Sequence, residues 1–207
     1  MLEEARDLGF LGPGPVEVHL DHAAGFAEVV RGLAGSAGTE AGPWPDRAAD
    51  LGSGAGLPGL PLALAFPNCT WLLVESSVRR AAFLRHAVKQ LALGDRVDVA
   101  EARAEAVGRH ARTRAQFGLV VARSFGPPAV VAECAAPLLR PGGRAVISDP
   151  PGGAPSRWPA DGLVVLGLVP EAAASGQGWA YQVMRQAEFC PDRYPRRVGV
   201  PGKRPLF

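Results

Sequence analysis

The stretch Asp50-Leu51-Gly52-Ser53-Gly54-Ala55-Gly56-Leu57-Pro58-Gly59 restricts this chain more than any other. Glycines at Gly52, Gly54 and Gly56 permit positive φ and leave no Cβ between the backbone and a ligand. An extended run precedes the turn and a helical run follows it, so the pattern predicts a strand-turn-helix unit that holds a nucleotide cofactor. The candidate contacts are Asp50, Gly52, Ser53, Gly54 and Gly56. Gly54-Ala55-Gly56-Leu57-Pro58-Gly59 also satisfies the dinucleotide pattern G-x-G-x-x-G. Asp50 suits instead a cofactor with positive charge, such as S-adenosylmethionine with its ammonium and sulfonium groups. The turn by itself leaves both readings open.

The rest of the chain supplies the context. Ala48 to Leu51 reads as a first strand, Leu60 to Phe66 as a helix ended by Pro67, and Trp71 to Val74 as a strand buried on both faces. Glu75 follows that second strand, where an acidic side chain can accept the ribose hydroxyls of an adenosine cofactor. A helix-start carboxylate is the alternative. Ala81, Leu84, Val88 and Leu91 recur at helical spacing and mark core, with Ser76 or Ser77 as the cap. Val97 to Ala100 reads as a third strand. Glu105, in the loop or helix start after it, either flanks an adenine or is a solvated helix charge. Phe117 to Ala122 is the fourth strand and delivers Arg123-Ser124-Phe125 to the same edge. There Arg123 can bind a carboxylate or phosphate beside a stacking ring, or form a structural ion pair.

A helix over Ala129 to Leu139, a tight turn over Arg140 to Arg144 and a fifth strand over Ala145 to Ser148 come next. Asp149 to Asp161 reads as a mobile loop. Leu163 to Val169 and Trp179 to Met184 then read as two strands with no helix between them, an antiparallel hairpin. A nicotinamide domain more often continues with further βα units, so the hairpin favours S-adenosylmethionine. The expected fold is α/β, a doubly wound, mostly parallel seven-stranded sheet over residues 46–190. Residues 1–45 form an N-terminal helical extension, with a helix over Ala23 to Leu33 stopped near Gly35 and Gly38. Residues 191–207 read as an extended cationic arm suited to phosphates, through Arg193, Arg196, Arg197, Lys203 and Arg204.

Composition narrows the setting. At 207 residues, one α/β domain with small additions accounts for the chain. Three distant cysteines, Cys69, Cys134 and Cys190, fit neither a disulfide framework nor a Cys-x-x-Cys metal site, and a reducing cytoplasm is expected. His19 and His22 are too few for zinc, so no metal is expected. No apolar run approaches bilayer-spanning length, and no membrane partner is expected. The net charge of +2 permits an acidic partner without requiring one.

Taken together, DLGSGAGLPGLPLALAFP, LLVESSVRRAAFLRHAV, ARAEAV, VVARSFG, PLLRPGGR and RYPRRVGVPGKRPL resemble the bacterial small-subunit ribosomal RNA guanine-N7 methyltransferases, also called the glucose-inhibited division protein B family. The likeness covers residues 46 to 148 and the last fifteen. GFLGP followed by HLDHA is similar to a compressed form of the family's N-terminal region. The resemblance implies a class I methyltransferase fold with S-adenosylmethionine bound at Gly52, Leu57, Ala104, Glu105 and Arg123. It also implies small-subunit rRNA or the ribosomal subunit as partner, and a monomer is expected.

Two departures stand out. The N-terminal helix is short, and Ser148-Asp149-Pro150-Pro151-Gly152 stands where the family often carries a Leu-Lys-Gly-like sequence. Methylation of guanine N7 uses an in-plane lone pair and removes no proton, so alignment and electrostatics suffice. Arg123 then has a positioning role with Phe125, and Arg79, Arg80 or Arg85 assist with phosphates. The alternatives are a methyltransferase acting on a small molecule or protein, a non-catalytic RNA-binding relative and a nicotinamide oxidoreductase.

Overall fold

The computed structural model describes residues 1–36, 45–152, 155–176 and 178–207. Residues 37–44, with the helix stop expected at Gly38, and residues 153–154 and 177, in the expected loop and hairpin link, lie outside the described residues.

Three apolar runs make the centre of a seven-stranded sheet: β1 (Arg47–Leu51), β2 (Thr70–Glu75) and β4 (Phe117–Ala122). Helices cover both faces, which is why these strands are buried nearly throughout rather than alternating between core and solvent. One face buries Leu73, Leu119 and Val121 against Phe26, Leu60 and Leu84, and the other buries Leu51 and Val120 against Val131, Leu138 and Leu163. With β3 (Val97–Glu101), β5 (Leu139–Asp149), β6 (Leu168–Gly176) and β7 (Trp179–Gln186), the spatial order is β3-β2-β1-β4-β5-β7-β6. Strands β1 to β5 run parallel and β7 is antiparallel to both β5 and β6. Leu51 lies beside both Val74 and Ala122, so β1, β2 and β4 end level. The chain winds outward from β1 in one direction to β3 and then restarts on its other side at β4. That reversal opens a crevice at the carboxyl ends of β1 and β4.

The helices are α1 (Leu2–Asp7), α2 (Val16–Ser36), α3 (Gly59–Ala65), α4 (Val78–Gln90), α5 (Ala104–Arg109), α6 (Pro128–Ala135), α7 (Ala160–Val164) and α8 (Val200–Lys203). α2 begins seven residues before the expected Ala23, which puts His19 and His22 on the helix. Tertiary packing fixes it there. A Cβ at Gly25 would stand 2.7 Å from the Trp179 ring and from the Tyr181 hydroxyl, so only glycine lets the helix approach β7 this closely. Phe26 and Tyr181 pack with ring centroids 4.2 Å apart, and the Tyr181 hydroxyl donates to the His22 carbonyl.

Four further expectations change. The helix expected to reach Leu139 ends at Ala135 in a 3-10 turn over Ala136–Leu138, because Pro137 lacks the amide an α-helix needs. β5 extends from Leu139 to Asp149 and absorbs the expected Arg140–Arg144 turn, with a register shift opposite Phe117 and Leu119. The apolar run Leu163–Val169 is divided: its first residues belong to α7 and the strand starts at Leu168. Gly167 separates the two with φ +76°, and a Cβ there would press on the Glu188 carbonyl.

The fourth change concerns the tail, which folds back onto the domain instead of extending. Arg196 grips Glu133, a wholly buried carboxylate on α6, through Nη2 at 2.6 Å, Nε at 2.9 Å and its backbone amide at 2.7 Å. Arg114 secures the same segment by donating to the carbonyls of Cys190 at 2.6 Å and Tyr194 at 2.7 Å. Removing one partner of a buried ion pair leaves the other charge desolvated. Arg196→Ala is therefore expected to lower stability by roughly 3–5 kcal/mol in urea unfolding. A loss below about 1 kcal/mol would show that the pair behaves like a surface salt bridge.

Candidate active site

The glycine turn hangs from the end of β2. The amides of Gly52 and Ser53 both donate to the Val74 carbonyl, at 2.9 and 3.1 Å. Glu75 then braces the turn from the side: Oε2 accepts from the Gly54 amide at 3.0 Å and Oε1 from the Ser77 amide at 2.8 Å, at the start of α4. Gly52, Gly54 and Gly56 have φ of +68°, +55° and +89°, conformations that side chains resist. At Gly52 there is a second reason for glycine, since a Cβ would lie 2.7 Å from the Phe125 ring.

Two cavities meet at Gly52. The first, about 230 Å³, is lined by the turn from Gly52 to Ala55, Leu57, Arg80, Arg123, Ser124 and the N-terminal segment Phe10 to Gly12. The second, about 210 Å³, lies over the ends of β2 and β3, where Glu75, Ala102, Ala104, Glu105, Phe125, Val130 and Cys134 face Gly199 and Gly202 of the tail. The two cavities, joined at Gly52, form a slot: the first is polar and cationic, and the second sets two carboxylates and Arg103 among apolar side chains.

The structure gathers Gly52, Ser53, Gly54, Leu57, Glu75, Ala104, Glu105 and Arg123 along this slot. Asp50 and Gly56 stand outside its lining. Asp50 is fully buried beneath the turn, with Oδ2 accepting from the Gly59 amide at 3.1 Å and Oδ1 without a partner. Burial pushes its carboxyl up to about 7. Gly56 makes room for Leu60, whose Cδ1 would be 2.4 Å from an added Cβ. Glu105 accepts from the Gly199 amide at 2.9 Å and so braces the tail as well as lining the slot.

Arg123 forms no carboxylate pair among the described residues. Its Nη2 donates to His19 Nδ1, and its buried Nη1 has no protein partner. Burial holds the guanidinium below its ordinary pKa. Ser124 adopts φ +52°, a left-handed conformation unusual outside glycine that turns the chain away from β4 beside the slot. His22 is half-buried, and burial, helped by the charge of Arg123, lowers its pKa to about 4.

Of the expected phosphate-binding residues, Arg193, Arg197, Lys203 and Arg204 are exposed on the folded tail, and Arg193 lies over the Tyr194 ring. Arg196 faces Glu133. Arg79 and Arg80 lie over the Phe10 ring at 5.7 and 5.9 Å, while Arg85 pairs with Glu101 at 2.9 Å. The Asp149 side chain is largely buried and accepts from Arg157 at 2.8 Å and Trp158 at 3.2 Å. Its charge is thus answered within the loop, which correctly reads as a tied segment with a 3-10 turn at Pro155–Arg157 and α7 beyond. GFLGP and HLDHA carry a family resemblance in the sequence, but nothing there places Phe10 to Gly12 or His19 beside the turn, because that proximity depends on how α1 and α2 pack. Among the described residues no three His, Cys, Asp or Glu side chains form a metal group, and no helix is long and apolar enough to cross a membrane.

The sheet order, the crevice and the slot define a class I S-adenosylmethionine-dependent methyltransferase fold. A putative sarcosine dimethylglycine methyltransferase from Galdieria sulphuraria superposes with a TM-score of 0.60 at 12% identity, over 78% of this chain and 84% of that one. An RNA methyltransferase from Salinibacter ruber in complex with S-adenosyl-L-homocysteine gives 0.57 at 18% identity, over 87% and 97%.

The profile of GidB, rRNA small subunit methyltransferase G, matches residues 39–148. Ribosomal RNA small subunit methyltransferase G of Rubrobacter xylanophilus is 40% identical over 172 residues, 77% of this chain and 65% of that protein. The protein of the same name from Roseiflexus castenholzii is also 40% identical over 172 residues, 80% and 73%. The chain belongs to the GidB family.

The residues fit the cofactor of that fold. The free Nη1 of Arg123 is a donor awaiting an acceptor. Each Glu75 oxygen accepts one amide and retains capacity for a hydroxyl.

Asp50 supplies a pH test. A folded pKa near 7 against an ordinary value near 3.8 means that the folded protein holds a proton which the unfolded chain has lost. The resulting stability is complete below about pH 4 and disappears as pH rises through about 7. Wild type is expected to lose a few kcal/mol relative to Asp50→Asn between pH 5 and pH 8 in urea titrations. An unchanged difference across that range would place the carboxyl at its ordinary value.

Proposed function

We propose that this protein transfers a methyl group from S-adenosylmethionine to N7 of a guanine in small-subunit ribosomal RNA. The observation that carries the reading is the slot divided at Gly52, with Glu75 and Glu105 at its apolar end and Arg123 at its polar end, in a chain that belongs to the GidB family. Bound there, the cofactor supplies an electrophilic methyl on a sulfonium. Glu75, which still has acceptor capacity beyond its two amides, would accept the ribose hydroxyls. Ala102, Ala104, Val130 and Phe125 enclose the adenine. The guanidinium of Arg123, with Nη1 unpartnered, would donate to the carboxylate of the cofactor or to an edge of the guanine and help position them.

The described lining of the polar cavity contains no carboxylate and no imidazole. Such a wall suits a nucleophile that has no proton to give up, as guanine N7 has none. Positioning and electrostatics then carry the rate. Asp149 is answered by Arg157 and Trp158 and adds no repulsive charge toward RNA, so the exchange after the fifth strand does not argue for a different substrate. The protein works in the cytoplasm, as a monomer and without metal.

The direct test is transfer of labelled methyl to small ribosomal subunits that lack the N7-methylguanine. Wild type is expected to label one guanine. Gly52→Asp, which forces a carboxylate into a positive-φ position against Phe125, is expected to abolish cofactor binding. Arg123→Ala is expected to reduce kcat/KM by about 100-fold or more, the scale of a lost charge-stabilising donor. Tight cofactor binding with no label in rRNA would leave the fold and overturn the substrate.

RNA is held by the exposed cations of the folded tail: Arg193, Arg197, Lys203 and Arg204. Arg197→Glu with Arg204→Glu is expected to weaken RNA binding and reduce the slope of log K against log salt by about two. Cofactor affinity, read by calorimetry, is expected to stay within about twofold, since both side chains face solvent while the backbone of Gly199 and Gly202 lines the slot. Equal loss of both affinities would remove the tail from RNA recognition.

A further inference from the structure

Arg123 is a half-buried cation whose hydrogen-bond acceptor within the protein is an imidazole rather than a carboxylate. The acceptor, His19, is itself 6% exposed and lies on α2, 104 residues away in sequence. Its two ring nitrogens face partners of fixed chemistry. A guanidinium can only donate, so Nδ1, which meets Arg123 Nη2, must accept. A carbonyl can only accept, so Nε2, 3.1 Å from the Gly12 oxygen, must donate. Together these contacts leave one state, a neutral imidazole with its proton on Nε2. A protonated ring has no acceptor for Arg123, and the other tautomer reverses both contacts.

This state has two consequences for the slot. A carboxylate in place of His19 would orient Arg123 but also neutralise it. Imidazole orients the guanidinium and adds no negative charge of its own, so Asp50, which acts on Arg123 through space without a hydrogen bond, is the carboxylate it feels, and Nη1 stays without a protein partner beside the polar cavity. At the other end of the ring, the Gly12 carbonyl belongs to the segment Phe10 to Gly12, which lines the same cavity. His19 thus ties the N-terminal wall to the arginine that faces it. Its own place is fixed one turn before His22, whose carbonyl takes the Tyr181 hydroxyl, and by Gly25 and Phe26 packed on β7.

We propose that His19 is the positioning residue of Arg123, a neutral Nε2–H imidazole that aims the guanidinium without cancelling its charge and closes the Phe10–Gly12 wall onto the same cavity. The inference rests on reading that cavity as the place where cofactor and base meet. The tautomer it requires can be measured without any activity.

The first experiment is long-range proton–nitrogen correlation on protein labelled with nitrogen-15 at histidine, with His19→Asn used to assign the signal. The expected result at neutral pH is a pyrrole-type Nε2 and a bare, accepting Nδ1. A proton on Nδ1, or an imidazolium, overturns the proposal whatever the substrate proves to be.

The second experiment separates the two contacts. His19→Asn puts an amide oxygen near the position of Nδ1 and keeps an acceptor for Arg123. His19→Gln reaches the position of Nε2 and keeps a donor for Gly12, but leaves Arg123 unaimed. Methyl transfer by His19→Gln is expected to fall about 10–100-fold in kcat/KM, the scale typical of a lost orienting hydrogen bond, whereas His19→Asn is expected to keep most of the wild-type activity. Added to Arg123→Ala, His19→Gln is expected to cost less than about twofold more, because the group it aims is gone. Thermal melts of each variant check folding. Equal losses for Asn and Gln, or full additivity with Arg123→Ala, would reduce His19 to a packing residue. Wild type that transfers no methyl to rRNA, yet shows the expected tautomer, would count against the substrate assignment and leave the His19–Arg123 geometry standing.

Discussion

Both oxygens of Glu75 accept backbone amides, one from Gly54 in the glycine turn and one from Ser77 at the head of α4. Much of the site depends on that carboxylate. It holds the turn at the carboxyl end of β1 in a conformation with three positive φ values, and it does so from the end of β2, the neighbouring strand. A buried acceptor with good geometry and two amide donors is worth more than either bond alone, because leaving any of these groups unpaired would carry the full cost of desolvation. The bracing that makes the turn rigid is also what puts an acidic group in the lining of the second cavity, beside Glu105.

Around that fixed centre the two ends of the chain build the walls. The N-terminal segment contributes Phe10 to Gly12, seated by a small apolar cluster of Ala5, Ala55 and Phe83, while the tail contributes Gly199 and Gly202, held by Arg196 on Glu133 and by the Gly199 amide on Glu105. Neither end is a loose appendage. Each is attached through a group that also touches the site: His19 for the first and Glu105 for the second. Recognition of a large polyanion by the exposed cations of the tail would therefore occur on the same segment that walls the second cavity.

How much of this was legible in the sequence varied with the range of the interaction. Local chemistry announced the glycine turn, the double-sided apolar strands and Glu75, and the hairpin followed from two strand-like runs without a helix between them. Short apolar runs were less informative. Leu163–Val169 has the composition of a strand, but a run of that length is equally a helix end, and the division at Gly167 is decided by the Glu188 carbonyl and Gln186 packed against it. The five cations of the tail read as an extended arm because charge density favours solvation. Arg196 departs from that expectation because Glu133, 63 residues earlier and wholly buried, needs a countercharge. The charge of Asp50 suits a cationic cofactor, whereas its side chain points beneath the turn to the Gly59 amide.

The sequence alone determined the βα alternation, the place of the turn, the acidic residue after the second strand and the family resemblance, since each rests on residue type and short spacing. Only the tertiary structure decided that His19 faces Arg123 across 104 residues, that the tail is a wall of the slot, and that Asp50 is a buried support with a raised pKa. The physical reason is the same in each case. Propensity and periodicity act over a few residues, whereas hydrogen-bond partners, burial and the charges that shift a pKa are fixed by which distant segments the packed core brings together.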